Sequence, residues 1–400
     1  MTIHEINSYE GCAATLKAGD LRQALYDAAA IMMEKALVNL HGAEHRTRRT
    51  EESKVFRKDF FFRYEREVLP RTMAETIAPY VVAGRADLVD LGYRIMMNLT
   101  IDFAGIDRVE RSAEETGDLL RLLKVFSLAP SLGQRQSPDE IGAIEDEIRA
   151  AMDEFDQRYL APSIARRRAL IGTVDEDDLP RDVLTSLLLS EDKLALTPHA
   201  LLQEAVFLTL AGAHTSIHSL THAVHEILTW AAAHPDQAHR LESDPFFIQR
   251  CVYESVRLHP SSPIAKRKSN CPMHVAAVGE IAPGDEIVVN LRAANRDPAM
   301  FGDDADRFDP DRPVPAGQFG YGLSMGLGMH ACLGRNLAVG VPPRAGTDPA
   351  MHHYGTVPLI VTALLRQGIR PDPDEAPRQD ETITRISWAT YPVRFGEEQA

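Results

Sequence analysis

Gly326-Leu327-Gly328-Met329-His330-Ala331-Cys332-Leu333-Gly334-Arg335-Asn336-Leu337-Ala338 is the stretch whose reading decides the fold. Glycines precede Cys332, and another follows two positions later. Glycine is used where a backbone must take positive φ or approach a ligand closely. The run 333–338 reads as the start of a helix. A cysteine at that point gains from free backbone N–H donors and from the helix dipole, and both favour thiolate over thiol. A thiolate is the form that ligates iron. Two plainer readings compete. A lone cysteine in a glycine-rich turn is ordinarily a buried structural residue. The glycines also suggest a phosphate loop, but no Gly-Lys-Ser/Thr follows and no clear strand-to-helix G-x-G-x-x-G unit surrounds them.

The rest of the chain sets limits on that choice. Its 400 residues are 44% hydrophobic, ample for a large core in one big domain or two average ones. A net charge of −15 argues against a nucleic-acid binder, which would show a basic face. It suits a soluble cytoplasmic protein. The opening residues hold no apolar run long enough for a signal peptide or membrane anchor. Cys12, Cys251, Cys271 and Cys332 form no C-x-x-C pair, so zinc ribbons and thioredoxin-type motifs are unsupported. A disulfide scaffold is not expected in so long a chain.

Apolar residues recur at helical spacing over 87–106 and 139–169. The second run opens with Ser137-Pro138-Asp139-Glu140, a capping box with proline at the first helical position. Thr197-Pro198 opens the long run 199–233, which stops before Pro235. Asp244-Pro245 starts another helix that ends at His259-Pro260, and a further helical patch covers Thr356–Arg366. Strand-like pieces at 285–291, 383–388 and 392–395 alternate with Pro, Gly and Asp turns. No repeat or linker interrupts the chain. The expectation is a single domain over 1–400, mainly α with smaller β-sheets (α+β), its strands concentrated late.

The pattern Gly-x-His-x-Cys-x-Gly-x-x-Leu-Ala in the cysteine segment resembles the haem-binding loop of the cytochrome P450 family. On that resemblance Cys332 is the ligand to the haem iron and His330 hydrogen-bonds a haem propionate. Met325 stands seven residues before the cysteine, where the family usually has Phe. Three further motifs follow the family's order. Glu254-Ser255-Val256-Arg257 precedes Asn295-Arg296-Asp297-Pro298 and Phe308-Asp309-Pro310-Asp311-Arg312. Alone, a carboxylate and guanidinium at i, i+3 are usually a surface ion pair of little worth. The resemblance makes Glu254, Arg257 and Arg312 a buried structural triad. Gly42–Arg49 resembles the family's H-x-x-x-R helix, so His45 and Arg49 would reach a propionate while Arg46 and Arg48 face solvent. Arg267 falls where the family has another propionate-binding arginine, although Lys266 and Lys268 leave the register open by one residue.

Phe207-Leu208-Thr209-Leu210-Ala211-Gly212-Ala213-His214-Thr215-Ser216 lies inside the long helix. Glycine and Ser/Thr in mid-helix weaken the ladder and can open a kink. The family's A-G-x-acid-T segment crosses the haem at this place, which Ala211, Gly212 and Thr215 match. His214 occupies the acid position. It either shuttles protons, since imidazole titrates near neutrality, or only caps a backbone carbonyl in the kink. Thr215 is the implied hydrogen-bond donor near dioxygen. His218, His222 and His225 continue the stripe. They form a polar helix face or a zinc site, with no H-E-x-x-H hydrolytic signature, since His225-Glu226 lacks the second histidine.

The resemblance runs from about Leu21 to Phe395 and implies a cytochrome P450-like fold. The stretch before His45 is short, so 1–20 is expected to be a reduced segment, with the N-terminal sheet and first helix reduced or absent. Pro342 and Pro343 should stop the helix after Cys332 early. The implied activity is haem-dependent monooxygenation, with haem b and O2. One oxygen atom enters a small-to-medium hydrophobic substrate. Without a flavin or iron–sulfur module in the chain, electrons from NAD(P)H would come through a ferredoxin and its reductase. Arg335 and Arg344 could meet an acidic partner. Expected pocket residues are Met32, Met33, Leu37, Phe207, Ala211, Pro263, Ile264, Trp388 and Ala389. A peroxide-dependent haem-thiolate enzyme and a haem-containing binding or sensor protein without turnover remain as alternatives.

Overall fold

The long apolar run becomes a 36-residue helix, Pro198–Ala233, and the fold is arranged around it. Thr197 caps its start by accepting the Ala200 N–H, with proline at the first position. Its buried residues, from Ala200 to Trp230, occur on several faces, as expected of a core helix rather than a surface one. This is a computed structural model that describes residues 2–134, 137–381 and 385–396. Helix Leu88–Ala104 packs along the long helix, and its Asp87 cap accepts the Val89 N–H at 2.9 Å. The two helices approach closely at Gly212, where a Cβ would stand 2.5 Å from Thr100 Cγ2. Helices Phe247–Leu258 and Thr356–Arg366 cover another side of the long helix.

The expected helix over 139–169 is two helices, Pro138–Phe155 and Ala161–Leu170, joined by a wide π-turn at Asp156–Leu160. Ser137 caps it, accepting the Glu140 N–H. The strands at 285–291 and 392–395 appear as Glu286–Asn290 and Pro392–Arg394. The piece at 383–388 lies partly outside the described residues, and the strand near it is Trp388–Thr390, paired with Arg378–Gln379.

One expectation about the N-terminal part, that its sheet and first helix could be absent, is corrected. Ile3–Ile6 forms a strand, Tyr9–Lys17 a helix capped by Ser8, and Leu21–Gln23 a second strand. The stretch before His45 is short, but its sheet and first helix are present. Three short strands lie in the first 87 residues and the others after residue 263, so the strands are concentrated late. A four-stranded sheet runs Ile3–Ile6, Glu286–Asn290, Ile264–Ser269, Leu21–Gln23, with the first pair parallel and the others antiparallel. Arg85–Asp87 joins Pro392–Arg394 and Arg370–Pro371 in a second sheet. The parallel pair buries Ile6, Tyr9, Cys12, Leu16, Val289 and Leu323 in a satellite core.

Glu254, Arg257 and Arg312 come together in the fold, with Glu254 and Arg257 buried and Arg312 half-buried. Arg257 is 0% exposed. Its Nε donates to Glu254 Oε2 at 2.7 Å and its Nη2 to Glu254 Oε1 at 2.6 Å. Nη1 donates to the carbonyls of Asn295 and Ala305. Arg312 Nε donates to Glu254 Oε1 at 3.0 Å. Removing one member strands a buried charge, which costs about 3–5 kcal/mol. Glu254→Ala should therefore lower stability by an amount of that order in urea unfolding. A loss below about 1 kcal/mol, the scale of a surface pair, would contradict the buried role.

Candidate functional site

The cysteine loop is shaped by glycine. Gly326 and Gly328 take positive φ, 63° and 69°. At Gly328 a Cβ would stand 2.6 Å from the Leu16 carbonyl, so the loop seats on the end of helix Tyr9–Lys17. The Cys332 N–H donates to Met325 O at 2.8 Å, closing the bend. Helix Arg335–Val339 follows and stops after five residues, with Gly340 at φ 75° and Pro342 and Pro343 beyond. Cys332 is open to the cavity. Burial by surrounding protein pushes its thiol up, while the Gly334 N–H, Arg49 and Arg335 pull it down. The net direction is upward, so the loop alone does not make a thiolate.

A cavity of about 340 Å³ separates this loop from the long helix. Ala211, Gly212, Thr215 and Phe207 form one wall, and Cys332, Ala331 and Met325 lie on the loop side. Thr215 Oγ1 donates to Ala211 O at 2.7 Å, and the helix continues unbroken through this turn instead of kinking. Leu37 and Ile264 add apolar surface.

One rim is strongly basic. His45, Arg49, Arg267 and His330 all line the cavity. The rings of His45 and His330 are 4.5 Å apart, and His45 Nδ1 and His330 Nε2 are buried without a hydrogen-bond partner. Arg49 Nη2 donates to Ala331 O at 2.7 Å. Arg267 is buried and its Nη1 reaches only the Lys266 carbonyl. Lys266 and Lys268 turn away to Glu286 and Asp27, which settles the register on Arg267. Burial, then the neighbouring cations Arg49, His41 and Arg46, hold His45 down at about 4. Burial, then His45, Arg267, His41 and Arg49, hold His330 at about 3. The orphaned imidazole nitrogens and the two arginines, whose bonds given above reach only backbone carbonyls, form a donor set with no carboxylate hydrogen-bonded to it. That set fits a flat group bearing carboxylates, and the sulfur beneath fits its metal. An iron porphyrin meets both requirements.

Several expected site residues sit elsewhere. Met32 and Met33 are core residues of the short helix Ala30–Met33. Gln203 pulls that segment onto the long helix, donating to the Ala30 and Ile31 carbonyls and accepting the Lys35 N–H. Trp388 packs on His222, His225 and Tyr391, Ala389 is exposed, and Pro263 is not part of the lining. His214 is not part of the lining either. It lies beside Tyr93, its Nδ1 is buried without a carbonyl partner, and burial with Arg385 holds it at about 4. The His218–His222–His225 stripe holds no cluster fit for a metal among the described residues. His222 Nε2 donates to the Ile386 carbonyl, and His225 Nδ1 shares a hydrogen bond with the Tyr391 hydroxyl.

Arg48 is also corrected. It is 4% exposed, not solvated, and its Nη1 meets Glu204 Oε2 at 3.1 Å. The Leu37 N–H donates to the same oxygen at 2.7 Å. Sequence reasoning missed Glu52, which shares the cavity face of helix Gly42–Glu52 with His45 and Arg49. That i, i+4, i+7 spacing was the available signal. Glu52 is fully buried and neither carboxyl oxygen has a partner. Burial, then the nearby Glu204, push Glu52 well up, and burial also raises Glu204 to about 7 against the pull of Arg48 and the Leu37 N–H.

Among the described residues no helix is long and apolar enough to cross a membrane. A family model described as Cytochrome P450 matches residues 245–339. The cytochrome P450 monooxygenase helB1 of Aspergillus fumigatus is 28% identical over 200 residues, 45% of this chain and 34% of that protein. The biotin biosynthesis cytochrome P450 of Bacillus subtilis is 31% identical over 159 residues, 40% of this chain and 37% of that protein. The chain thus spans little more than a third of the length of these two relatives. The crystal structure of CalO2 superposes with a TM-score of 0.75 at 23% identity, covering 98% of this chain and 90% of that one.

The proton on Glu52 makes stability depend on pH. Its folded pKa lies above the unfolded value of 4.5, so its contribution is complete below that value and is lost as pH rises. Glu52→Gln, neutral at every pH, should flatten the fall in stability as pH rises above about 4.5, leaving the part that belongs to Glu204, itself raised to about 7. Equal pH slopes for the two proteins in urea unfolding would show that Glu52 is not held neutral.

Proposed function

We propose, from the premise that the chain belongs to the cytochrome P450 family, that it is a haem-dependent monooxygenase acting on a small-to-medium hydrophobic substrate. The observation that carries this reading is the pairing of a cavity-facing cysteine with a rim of partnerless donors. Cys332 would hold the iron through sulfur. His45, Arg49, Arg267 and His330 would hold the propionates. When bound, haem b supplies the redox centre at which O2 is reduced and one of its atoms is passed to the substrate. The protein's own part is to orient and to exclude water. Phe207, Leu37 and Ile264 keep the cavity apolar, so the substrate lies against carbon and not solvent. Gly212 keeps the helix wall flat where a side chain would collide with Thr100. Thr215 puts a hydroxyl on the cavity side; its proton is donated to the Ala211 carbonyl and would turn from it to donate into the cavity.

Electrons would come from NAD(P)H through an external ferredoxin and its reductase, in the cytoplasm. Arg335, whose guanidinium stacks on Phe319, and the exposed Arg344 lie on either side of the short helix after Cys332. They form the basic edge at which an acidic partner would dock. One observation favours the peroxide-dependent alternative. His214 stands at the family's acid position but outside the cavity lining, so the usual acid is missing from the wall. Faster product formation with peroxide than with NAD(P)H and redox partners would select that alternative.

The reduced, CO-bound protein should show a Soret band strongly shifted to the red, and Cys332→Ala should abolish it. A shifted band that survives the substitution would remove Cys332 as ligand. Thr215→Ala should lower, several-fold, the share of NAD(P)H electrons that end in product while haem content stays constant. Unchanged coupling would mean that the hydroxyl holds no proton for the reaction.

A further inference from the structure

Tyr64, Thr215, Ser324 and Thr356 line the cavity, yet their hydroxyls give their protons to the backbone carbonyls of Leu99, Ala211, Val256 and Leu337. Tyr26 and Ser262 differ. Both line the cavity and both are half-buried, so each keeps surface there. Their hydroxyls hydrogen-bond each other. The backbone on either side of Ser262 is fixed. Arg385 Nη1 donates to the Ser261 carbonyl at 2.7 Å, and the Arg292 N–H donates to the Pro263 carbonyl at 3.0 Å. Tyr26 is held in the same way. The Ala24 N–H donates to the Lys266 carbonyl at 3.1 Å, and the Ala29 N–H to the Tyr26 carbonyl at 2.9 Å. Both segments thus hang from the strand pair Leu21–Gln23 and Ile264–Ser269. Burial pushes the Tyr26 phenol up, with the Ser262 hydrogen bond and Arg385 pulling against it, so the phenol stays a neutral hydroxyl.

Two hydroxyls that meet share one hydrogen bond, which uses one of their two protons. Among the described residues the second proton has no acceptor. A donor kept from water without an acceptor is costly, so a pocket wall that carries one complements an acceptor on its ligand. The adjoining lining residues of the two segments, Leu25 and Ile264, are apolar. An ion would have to shed its hydration against them, whereas an uncharged acceptor sheds little. We infer that Tyr26 and Ser262 form an anchoring pair, so that the substrate is an uncharged apolar molecule whose carbonyl oxygen takes the spare proton. This inference rests on the haem-monooxygenase reading above and names the substrate class for that same cavity. Because both segments are held in place before a ligand arrives, little order is lost on binding.

The test uses the full-length, haem-loaded protein, titrated calorimetrically with 2-undecanone and with 2-methyl-1-decene, in which a methylene group replaces the carbonyl oxygen. The readout is the ratio of the two dissociation constants, compared between proteins so that the solubilities cancel. Either hydroxyl can still donate when the other is removed, so the double variant Tyr26→Phe, Ser262→Ala is decisive. It should lower the preference for the ketone about fivefold, the scale of one neutral hydrogen bond, and leave the alkene unchanged. Should the double variant fail to fold, the infrared carbonyl stretch of the bound ketone decides. It should lie below its frequency in an alkane solvent, and Tyr26→Phe or Ser262→Ala alone should move it. A ketone preference of the same size in the double variant, or a stretch equal to that in alkane, overturns the inference. Undecanoate binding tighter than the ketone also overturns it, because the anchor would then take an anion. Loss of haem from the variants with an unchanged ratio in the holoprotein that remains would assign the pair to the porphyrin, and overturns it too. The CO spectrum of the same preparation separates the two levels. A thiolate spectrum without the ketone preference removes this inference alone, whereas unaltered protein without haem removes both.

Discussion

The Arg257 guanidinium, wholly removed from water, is the interaction on which the rest of the structure depends. Its donors reach Glu254 and the carbonyls of Asn295 and Ala305, with an additional long contact to Arg307 O. Phe301 covers it at 4.8 Å from the ring centroid. A buried ion pair is tolerable only when its remaining donors and lone pairs are satisfied. Satisfying them draws a long irregular segment onto helix Phe247–Leu258. Asn295 passes the constraint on. Its Nδ2 donates to the Arg257 carbonyl and to Ser324 Oγ, and its Oδ1 accepts the Leu323 N–H. Ser324 Oγ donates in turn to Val256 O. Leu323 and Ser324 open the glycine-rich bend, so the place of the Cys332 sulfur traces back to this ion pair.

Around the cavity, electrostatics separates two kinds of buried charge. Arg48 is balanced by Glu204, while burial pushes the Glu204 and Glu52 carboxyls up together. They fasten helix Gly42–Glu52 to the long helix, and through the Leu37 N–H they tie down the segment that borders the cavity. The rim formed by His45, Arg49, Arg267 and His330 has no such balance. In a folded protein, partnerless buried donors are rare and call for an explanation. Here that explanation is a bound group that carries its own negative charge.

Much of this was legible in the sequence because it is local. Caps at Ser137 and Thr197, the glycines around Cys332, and the four-residue step from His45 to Arg49 all act within one or two helical turns. The Glu254–Arg257 spacing belongs to the same class. The misreadings share a different cause. The pairing of Ile3–Ile6 with Glu286–Asn290 spans most of the chain, and a three-residue strand such as Leu21–Gln23 has no period to detect. Arg48 looked like a solvated residue because its partner, Glu204, is 156 positions away. Met32 and Met33 were placed in the cavity by position alone, whereas Gln203 decides where that segment lies. Glu52 was invisible for the opposite reason, since what marks it is a carboxyl without a hydrogen-bond partner in three dimensions.

The central claim is a bond from the Cys332 sulfur to iron. Iron K-edge X-ray absorption on the purified protein tests it most directly. A single sulfur in the first shell of the iron, replaced by oxygen or nitrogen in Cys332→Ser, is the expected result. Iron surrounded only by nitrogen and oxygen in the unaltered protein, or a sulfur neighbour that persists in Cys332→Ser, would contradict it.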